Sequence, residues 1–419
     1  MPQNGSQNDP NNGTRTEIEE PGFFFISKEA AAKLPLYQYR GQDLSLLYKF
    51  VLAPLATFCV NRLTPLWLAP NSITLIGLCF MVAAYLCMWY FSPTLEPPED
   101  PPRWIFLLNA LSMMIYQTLD NMDGRQARRT GSGSPLGLLF DHGCDAANSV
   151  FGSANWIISM ALHPVHDVYL CASILLGPYI LFYFGTWEEY YTGELIMPFI
   201  NGPSEGLMGG ALMSLSSWWF GPHIWHETHC WDVIVSPVLS TMLSHEWLPE
   251  ESLRNCDCLV LVATYAFIAE PMMKAFSVVR KYGVKTLLNL LPFATLLICA
   301  CVVGSTDLNV WLDMPRTSLH LCATLFVEMT VDLMMAHITE QRYRYMRWPL
   351  LPLVGFTLLI GSGFWSAGRT TAEFLLIYAS VSFTYLAVKT VVTIHEICLV
   401  LNIWCFDITR ERRAKIKLN

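Results

Sequence analysis

Charge is what this chain lacks most. Asp, Glu, Lys and Arg together make up only 14% of its 419 residues, where a soluble domain carries roughly a quarter. So thin a supply cannot coat a water-soluble fold of this length. A basic excess is missing as well. The formal net charge is −8, which argues against a nucleic-acid binder. Cysteine is not scarce, at 13 residues, but its positions lie mostly inside apolar runs, the pattern of buried thiols and not of a disulfide framework. Cys256 and Cys258 form a short C-x-C, which is weak as a metal motif. The first 20 or so residues are Asn, Gly, Gln, Pro and Glu, with nothing to bury and no signal-peptide pattern.

Apolar residues fill the space that charge leaves, at 53% of the chain. They fall in long runs centred on 72–91, 104–122, 135–162, 167–187, 206–222, 257–279, 285–304, 317–337, 349–368 and 373–392. Each is long enough for a crossing of roughly 20 residues once tilt and flanks are allowed. The expected fold is therefore an all-α polytopic membrane protein of about ten transmembrane helices. Lys and Arg orient it. With a cytosolic N-terminus, one side of the membrane holds Arg103, Arg254, Arg316 and Arg369. The cytosolic side holds Arg125, Arg128, Arg129, Arg280, Lys281, Lys285, Arg342, Arg344, Arg347 and the basic run from Arg410 to Lys417. Both termini are then cytosolic, and the sequons at Asn4 and Asn12 stay silent. Five regions follow: an N-terminal tail (1–35), an interfacial amphipathic segment (36–70), a catalytic helical core (71–282), additional helices for lipid access or dimerisation (283–405), and a basic tail (406–419).

Within this apolar background one stretch is acidic. Residues 120–145 read DNMDGRQARRTGSGSPLGLLFDHGCD. An ionised carboxylate beside a membrane span is costly and marks a functional site. Asp120 and Asp123 are three apart, Asp141 and Asp145 four apart, so each pair shares a helix face. Gly131 to Pro135 breaks the helix between them and turns the chain. Gly137, one turn before Asp141, leaves room for a ligand to approach the backbone. Four carboxylates at the mouth of one helical hairpin call for compensating cations. Hard divalent ions with oxygen ligands, their shells completed by phosphate, are the natural answer. Two Mg²⁺ ions would balance the charge and favour an in-line phosphoryl displacement, and Mn²⁺ would substitute. Helix caps and an Asp123–Arg128 salt bridge are the plainer alternative.

Asp123-Gly124, Ala127-Arg128, Gly137, Asp141 and Asp145 reproduce D-G-x2-A-R-x8-G-x3-D-x3-D, with Asp120 as an extra upstream acid. The stretch resembles the signature of the CDP-alcohol phosphatidyltransferase family. Two further stretches resemble its eukaryotic choline/ethanolamine phosphotransferase subgroup. One is Trp67 to Thr74, with an APNxIT-like opening of the first helix; the other is Thr186 to Gly193 followed by Asn201 to Gly206. The resemblance implies transfer of phosphocholine or phosphoethanolamine from CDP-choline or CDP-ethanolamine to diacylglycerol, with release of CMP, in an endoplasmic reticulum or Golgi membrane and facing the cytosol. A homodimer is compatible with it.

Under that resemblance Asp120, Asp123, Asp141 and Asp145 hold metal, Gly124, Ala127, Arg128 and Gly137 belong to the donor site, and Arg128 binds phosphate. Asn71 either bonds the nucleotide or caps its helix. A cationic head group needs a carboxylate or aromatic faces, for which Glu205, then Trp187 and Tyr190, are candidates. The general base is Asp145, as in the wider signature, or His142. A neutral imidazole has the more suitable pKa, which favours His142. Two other classes stand beside this one: a relative using CDP-diacylglycerol with inositol or glycerol phosphate, and a transporter. His223, His226 and His229 form H-x2-H-x2-H, read as an exposed loop more readily than as a zinc site. Glu270, Glu328 and Asp332 lie in spans and either line a cavity or pair between helices.

Overall fold

The computed structural model of the chain describes residues 23–242 and 251–410. Its helices, in chain order, are α1 (Lys28–Lys33), α2 (Ala53–Arg62), α3 (Pro70–Phe91), α4 (Trp104–Thr130), α5 (Pro135–Ser159), α6 (Val168–Thr192), α7 (Leu207–Phe220) and α8 (Ser236–Met242). They continue as α9 (Asn255–Tyr282), α10 (Leu291–Thr306), α11 (Asn309–Leu312), α12 (Pro315–Ile338), α13 (Leu351–Gly361) and α14 (Arg369–Leu401). Among the described residues the one sheet is a parallel pair of three-residue strands, β1 (Gly41–Asp43) and β2 (Leu195–Met197). Such a helical bias is what lipid enforces, since a helix satisfies its own backbone polar groups where water cannot.

Each of the ten apolar runs falls on a helix. Six of the described helical stretches are long and apolar enough to cross a membrane by length and composition: 70–91, 168–192, 255–282, 284–306, 315–338 and 369–401. α4 and α5 fall outside that set, although they have 27 and 25 residues. α7 and α13 are shorter, with 14 and 11.

The packing separates a centre from a periphery. The most apolar window of α12 is 67% buried within the protein, whereas those of α9 and α14 are each 17% buried. α12 accordingly packs against α5, α6, α10 and α14, and Tyr179 of α6 stacks on its Phe326 with ring centroids 4.5 Å apart. The outer helices instead leave large apolar side chains uncovered, among them Val262, Tyr265 and Phe276 on α9 and Val381 and Val391 on α14. In a bilayer such a face meets acyl chains.

The expected N-terminal tail, 1–35, ends in a docked segment. Ile26, Ala30, Ala31 and Leu34 are buried against Met334, Ile338 and Ile397, and Glu396 of α14 accepts the backbone N–H groups of Phe24, Phe25 and Ile26. Ser27 caps α1 by accepting from the Ala30 N–H at 3.1 Å. The Asn4 and Asn12 sequons and most of the basic run after Arg410 lie outside the described residues.

Every cysteine is a free thiol, five of them buried. The three histidines of the H-x2-H-x2-H run part company. His223 faces Glu227 at 3.8 Å, and His226 lies between the Ala161 carbonyl and Arg254. The intramembrane acids are paired: Glu270 with Lys274 one turn along α9, where Lys274 also bonds Glu188 of α6 at 2.5 Å, and Glu328 and Asp332 of α12 with Arg347 and with Lys389 of α14.

Candidate active site

The α4–α5 hairpin is written in its cap residues. α4 ends on Gly131 at φ 67°, a left-handed conformation that glycine adopts without a Cβ penalty. Ser134 then caps α5 by accepting from the Gly137 N–H at 3.2 Å, with Pro135 in the first turn, where its missing N–H costs nothing. The turn reverses the chain in a few residues and sets the last turns of α4 against the first turns of α5.

Three of the four aspartates come together there. One carboxylate oxygen from each of Asp120, Asp141 and Asp145 lies within 4.8 Å of the other two. Among the described residues this is the only group of acids, histidines or cysteines close enough to share an ion. Asp120 Oδ1 and Asp141 Oδ1 are buried and without a hydrogen-bond partner. Orphaned carboxylate oxygens turned toward one another are unfavourable unless a cation completes them. The donor set is all oxygen and anionic, which suits a hard divalent ion, so the residues fit one. Asp145 is fixed by the Tyr116 hydroxyl, which donates to its Oδ1 at 2.5 Å.

Asp123 is held differently. It is buried and accepts from the Thr74 hydroxyl of α3 and from the adjacent Gly124 N–H at 2.5 Å. It forms no salt bridge with Arg128. Arg128 is exposed and makes no ion pair among the described residues, and a Cβ added at Gly124 would meet its Nη1 at 3.6 Å. Ala127 is half-buried. Its carbonyl accepts from the Gly131 N–H that closes the helix.

Asn71 is not a cap. α3 begins after Ala69, without a side-chain cap, and Asn71 Nδ2 donates to the Cys405 carbonyl at 3.0 Å. Its Oδ1 is what an added Cβ at Gly137 would meet, at 3.6 Å. Asn71 and Gly137 thus line one wall of the mouth together.

His142 lies on the far side of Asp141, with Nδ1 4.0 Å from Asp141 Oδ2 and Nε2 3.7 Å from Glu189 Oε2. Glu189 is only 1% exposed, and neither of its oxygens has a hydrogen-bond partner. Its Oε1 lies 3.7 Å from Nε2 of His337 on α12, and His337 in turn meets the Tyr37 hydroxyl at 3.2 Å. Sequence reasoning gave Glu189 no role. The signal available was a second acid beside Glu188 at an apolar helix end, but the two histidines that frame it come from 47 residues before and 148 after.

The three head-group candidates sit elsewhere. Glu205 accepts from the Ser45 hydroxyl at 2.5 Å and from the Leu47 and Asn201 N–H groups at 3.3 and 3.1 Å. Trp187 is fully buried and donates to the Thr286 carbonyl at 3.1 Å, and the Tyr190 hydroxyl donates to the Gln341 carbonyl at 2.9 Å. None of these contacts reaches the aspartates.

Comparisons with known proteins bear on the same residues. The sequence profile of the CDP-alcohol phosphatidyltransferase family matches residues 67–192, which span the hairpin and Glu189. The chain is 30% identical to the uncharacterized CDP-alcohol phosphatidyltransferase class-I family protein 3 of Dictyostelium discoideum, over 92% of this chain and 99% of that protein. It is 46% identical to choline/ethanolaminephosphotransferase 1 of Arabidopsis thaliana over 44% of the chain and 45% of that protein. Against cholinephosphotransferase 1 of Saccharomyces cerevisiae the figure is 35%, over 48% of the chain and 50% of that protein. The match thus spans about half the length of the two relatives named for their reaction.

Proposed function

The chain belongs to the CDP-alcohol phosphatidyltransferase family, and from that premise we propose that it transfers phosphocholine or phosphoethanolamine from CDP-choline or CDP-ethanolamine to diacylglycerol, releasing CMP. The observation that carries this reading is the oxygen triple of Asp120, Asp141 and Asp145, with two orphaned carboxylate oxygens, beside a buried imidazole. The names of the plant and yeast relatives supply the substrate class.

Asp120, Asp141 and Asp145, with Asp123 beside them, would hold two Mg²⁺ ions, with Mn²⁺ as a substitute. Bound there, the ions supply charge stabilisation for the diphosphate and for the transition state of its cleavage. The other work falls to side chains of the chain. Thr74 and Tyr116 fix Asp123 and Asp145, so the carboxylates need little reorganisation when substrate arrives. Arg128, unpaired at the mouth, is free to meet phosphate oxygens. Asn71 and Gly137 give the donor an uncrowded wall. His142 takes the proton of the diacylglycerol hydroxyl as that oxygen attacks the phosphorus bearing the amino alcohol, and CMP leaves with the bond's electron pair. Glu189 positions the imidazole and favours the cation that proton uptake creates.

Ten spans with both termini cytosolic, supported by the Lys and Arg asymmetry, put the hairpin mouth on the cytosolic face of an endoplasmic reticulum or Golgi membrane. Diacylglycerol then reaches the site laterally from the bilayer, and the helices after 283 serve lipid access or a homodimer. The test is CMP release by microsomes carrying the protein, with Mg²⁺ and diacylglycerol, from CDP-choline and from CDP-ethanolamine. Turnover with either supports the reading. Turnover only with CDP-diacylglycerol plus inositol or glycerol phosphate transfers the chain to the other branch of its family.

A further inference from the structure

The short C-x-C of α9 is divided between two faces of its helix. Cys256 and Cys258 are two residues apart, about 200° around the axis. Cys256 is fully buried and packs with Cys171, Ile157 and Val260. Cys258 is half-buried and turns toward the segment between α7 and α8. There its thiol meets that of Cys230, which is half-buried as well.

Hydrogen bonds that involve neither thiol hold the two segments in place. The Asn255 N–H donates to the Glu227 carbonyl at 2.7 Å, and Asn255 Nδ2 to the Ile224 carbonyl at 2.7 Å. Asn255 Oδ1 in turn accepts from the Cys230 N–H at 2.8 Å. Asn255 and Cys258 are one helical turn apart, so the residue that anchors Cys230 stands beside the thiol that faces it. Arg254 extends the clamp, with Nη2 2.7 Å from Asp167 and 3.0 Å from Asp257. Among the described residues no third ligand comes close enough to the two thiols to share an ion, which leaves them short of a zinc site.

The pair lies far from the aspartates. α6 has 25 residues and is roughly 37 Å long at 1.5 Å per residue, enough to cross a bilayer core. Asp167, which flanks its first turn, holds Arg254, whereas Glu189, near its last turn, frames His142. Cys230 and Cys258 are thus at the membrane face opposite the hairpin mouth. With the mouth cytosolic, that face is lumenal, and the lumen of the secretory pathway is oxidising.

We propose that Cys230 and Cys258 are a modification site, oxidised in the membrane-inserted protein to a disulfide that ties the segment after α7 to the start of α9. The inference rests on the orientation given above and goes beyond the transfer reaction. The oxidant is the disulfide of a lumenal thiol–disulfide oxidoreductase. One cysteine thiolate attacks that disulfide and forms a mixed disulfide, displacing one oxidoreductase sulfur. The second thiolate then attacks the sulfur of the first cysteine, closing the S–S bond and displacing the other. Two electrons pass to the oxidoreductase, which leaves as a dithiol carrying the two protons. Cys171 and Cys256, buried in the same end of the bundle, are shut off from such an exchange. The bond joins residues 28 apart in sequence and stabilises the fold by restricting the unfolded chain. The chemistry at the other face is left alone.

The test labels the thiols of the full-length protein in three steps and maps them by mass spectrometry. Sealed microsomes meet a membrane-impermeant maleimide first. Light N-ethylmaleimide follows in denaturing detergent, and heavy N-ethylmaleimide after reduction. Cys230 and Cys258 should both carry the heavy label, and Cys171 and Cys256 the light one. In Cys230→Ser, Cys258 should change from heavy to light. Reductant should lower the wild-type melting temperature by several degrees to that of Cys230→Ser, leave the variant unmoved, and change turnover in neither. Should the variant fail to fold, the wild-type labels decide alone. Light label at both positions overturns the disulfide and leaves the orientation standing. Impermeant label at both overturns the orientation and the disulfide together, and heavy label at only one overturns the pairing. Heavy label at both, without CMP release from any CDP-alcohol, upholds the disulfide and overturns the functional reading instead.

Discussion

At the mouth of the α4–α5 hairpin, Asp120, Asp141 and Asp145 converge with Asp123 beside them, and among the described residues no lysine or arginine pairs with any of the four. Between α12 and α14, Glu328 is buried and Asp332 partly so, yet each meets both Arg347 and Lys389. Lys389 reaches Glu328 at 2.8 Å and Asp332 at 2.5 Å. Two acids and two bases cancel, and the cluster ties α12, α14 and the segment after α12 into one unit. A charge buried without a partner costs several kcal/mol in either place. The second region brings its own cations, so nothing is left to bind. The first leaves carboxylate oxygens unsatisfied, a cost that is recovered when a ligand supplies the missing charge. Binding sites for cations are found by what the protein declines to neutralise.

The largest effect should come from removing a charge at the hairpin. Asp141→Asn or Asp123→Asn should lower turnover on the order of 10³-fold or more, while the variant still folds and inserts, because the lost charge was uncompensated. Activity together with thermal melting in detergent checks both halves. Near wild-type turnover at ordinary Mg²⁺ would sink the metal assignment. The same kind of change in the balanced cluster should do the opposite. Lys389→Met strands a carboxylate, and should destabilise by roughly 3–5 kcal/mol, read as a large drop in melting temperature, with surviving molecules turning over normally. Adding Glu328→Gln should restore much of the loss. If Lys389→Met melts like wild type, the two clusters do not differ in how their charge is balanced.

His142→Ala should cut kcat by roughly 10² with CDP-choline binding intact, whereas Asp145→Ala should weaken Mg²⁺-dependent donor binding. Normal turnover in His142→Ala, or dead chemistry with intact donor binding in Asp145→Ala, would hand the base to Asp145. Mg²⁺ itself should raise the wild-type melting temperature, by an amount equivalent to about 2.7 kcal/mol at a hundredfold excess over its dissociation constant. It should leave Asp141→Asn and the Lys389 cluster variants, respectively, unshifted and shifted as wild type. Ca²⁺, larger and looser in geometry, should bind and inhibit.

What the sequence disclosed of this contrast was local. The helices followed from apolar length, and the hairpin from Gly131, Ser134 and Pro135, whose effects act within a turn of themselves. The aspartate spacing put pairs on common faces, but Asp123's turn toward Thr74 depends on how α3 packs against α4, which no spacing encodes. Glu189 escaped notice because His142 and His337, its neighbours, belong to helices distant in the chain. Glu205 reads as a ligand in a Gly/Pro turn, whereas its partner Ser45 lies 160 residues earlier. The docking of residues 23–35 hinges on Glu396, at the opposite end of the sequence, and a polar, Pro-rich start gives no hint of it.

The smallest effect belongs to a third carboxylate environment, the exposed pair of Glu340 and Lys33. Their ion pair is 2.5 Å long, but the side chains are 70% and 47% exposed. The Lys33 hydrogen bond, then its charge, hold Glu340 below the usual carboxylate range. A lowered pKa means that any contribution to stability is complete above the unfolded value, near pH 4.3 for Glu, and is lost as the pH falls through the folded one. Solvent and salt screen so open a pair, and holding two flexible side chains in one geometry offsets what remains. Glu340→Gln should therefore melt within replicate scatter of wild type at pH 7. Any small difference should vanish by pH 3 and shrink in 1 M salt. A drop approaching that of Lys389→Met would mean that burial is not what separates the clusters, and that the docked N-terminal segment hangs on this pair.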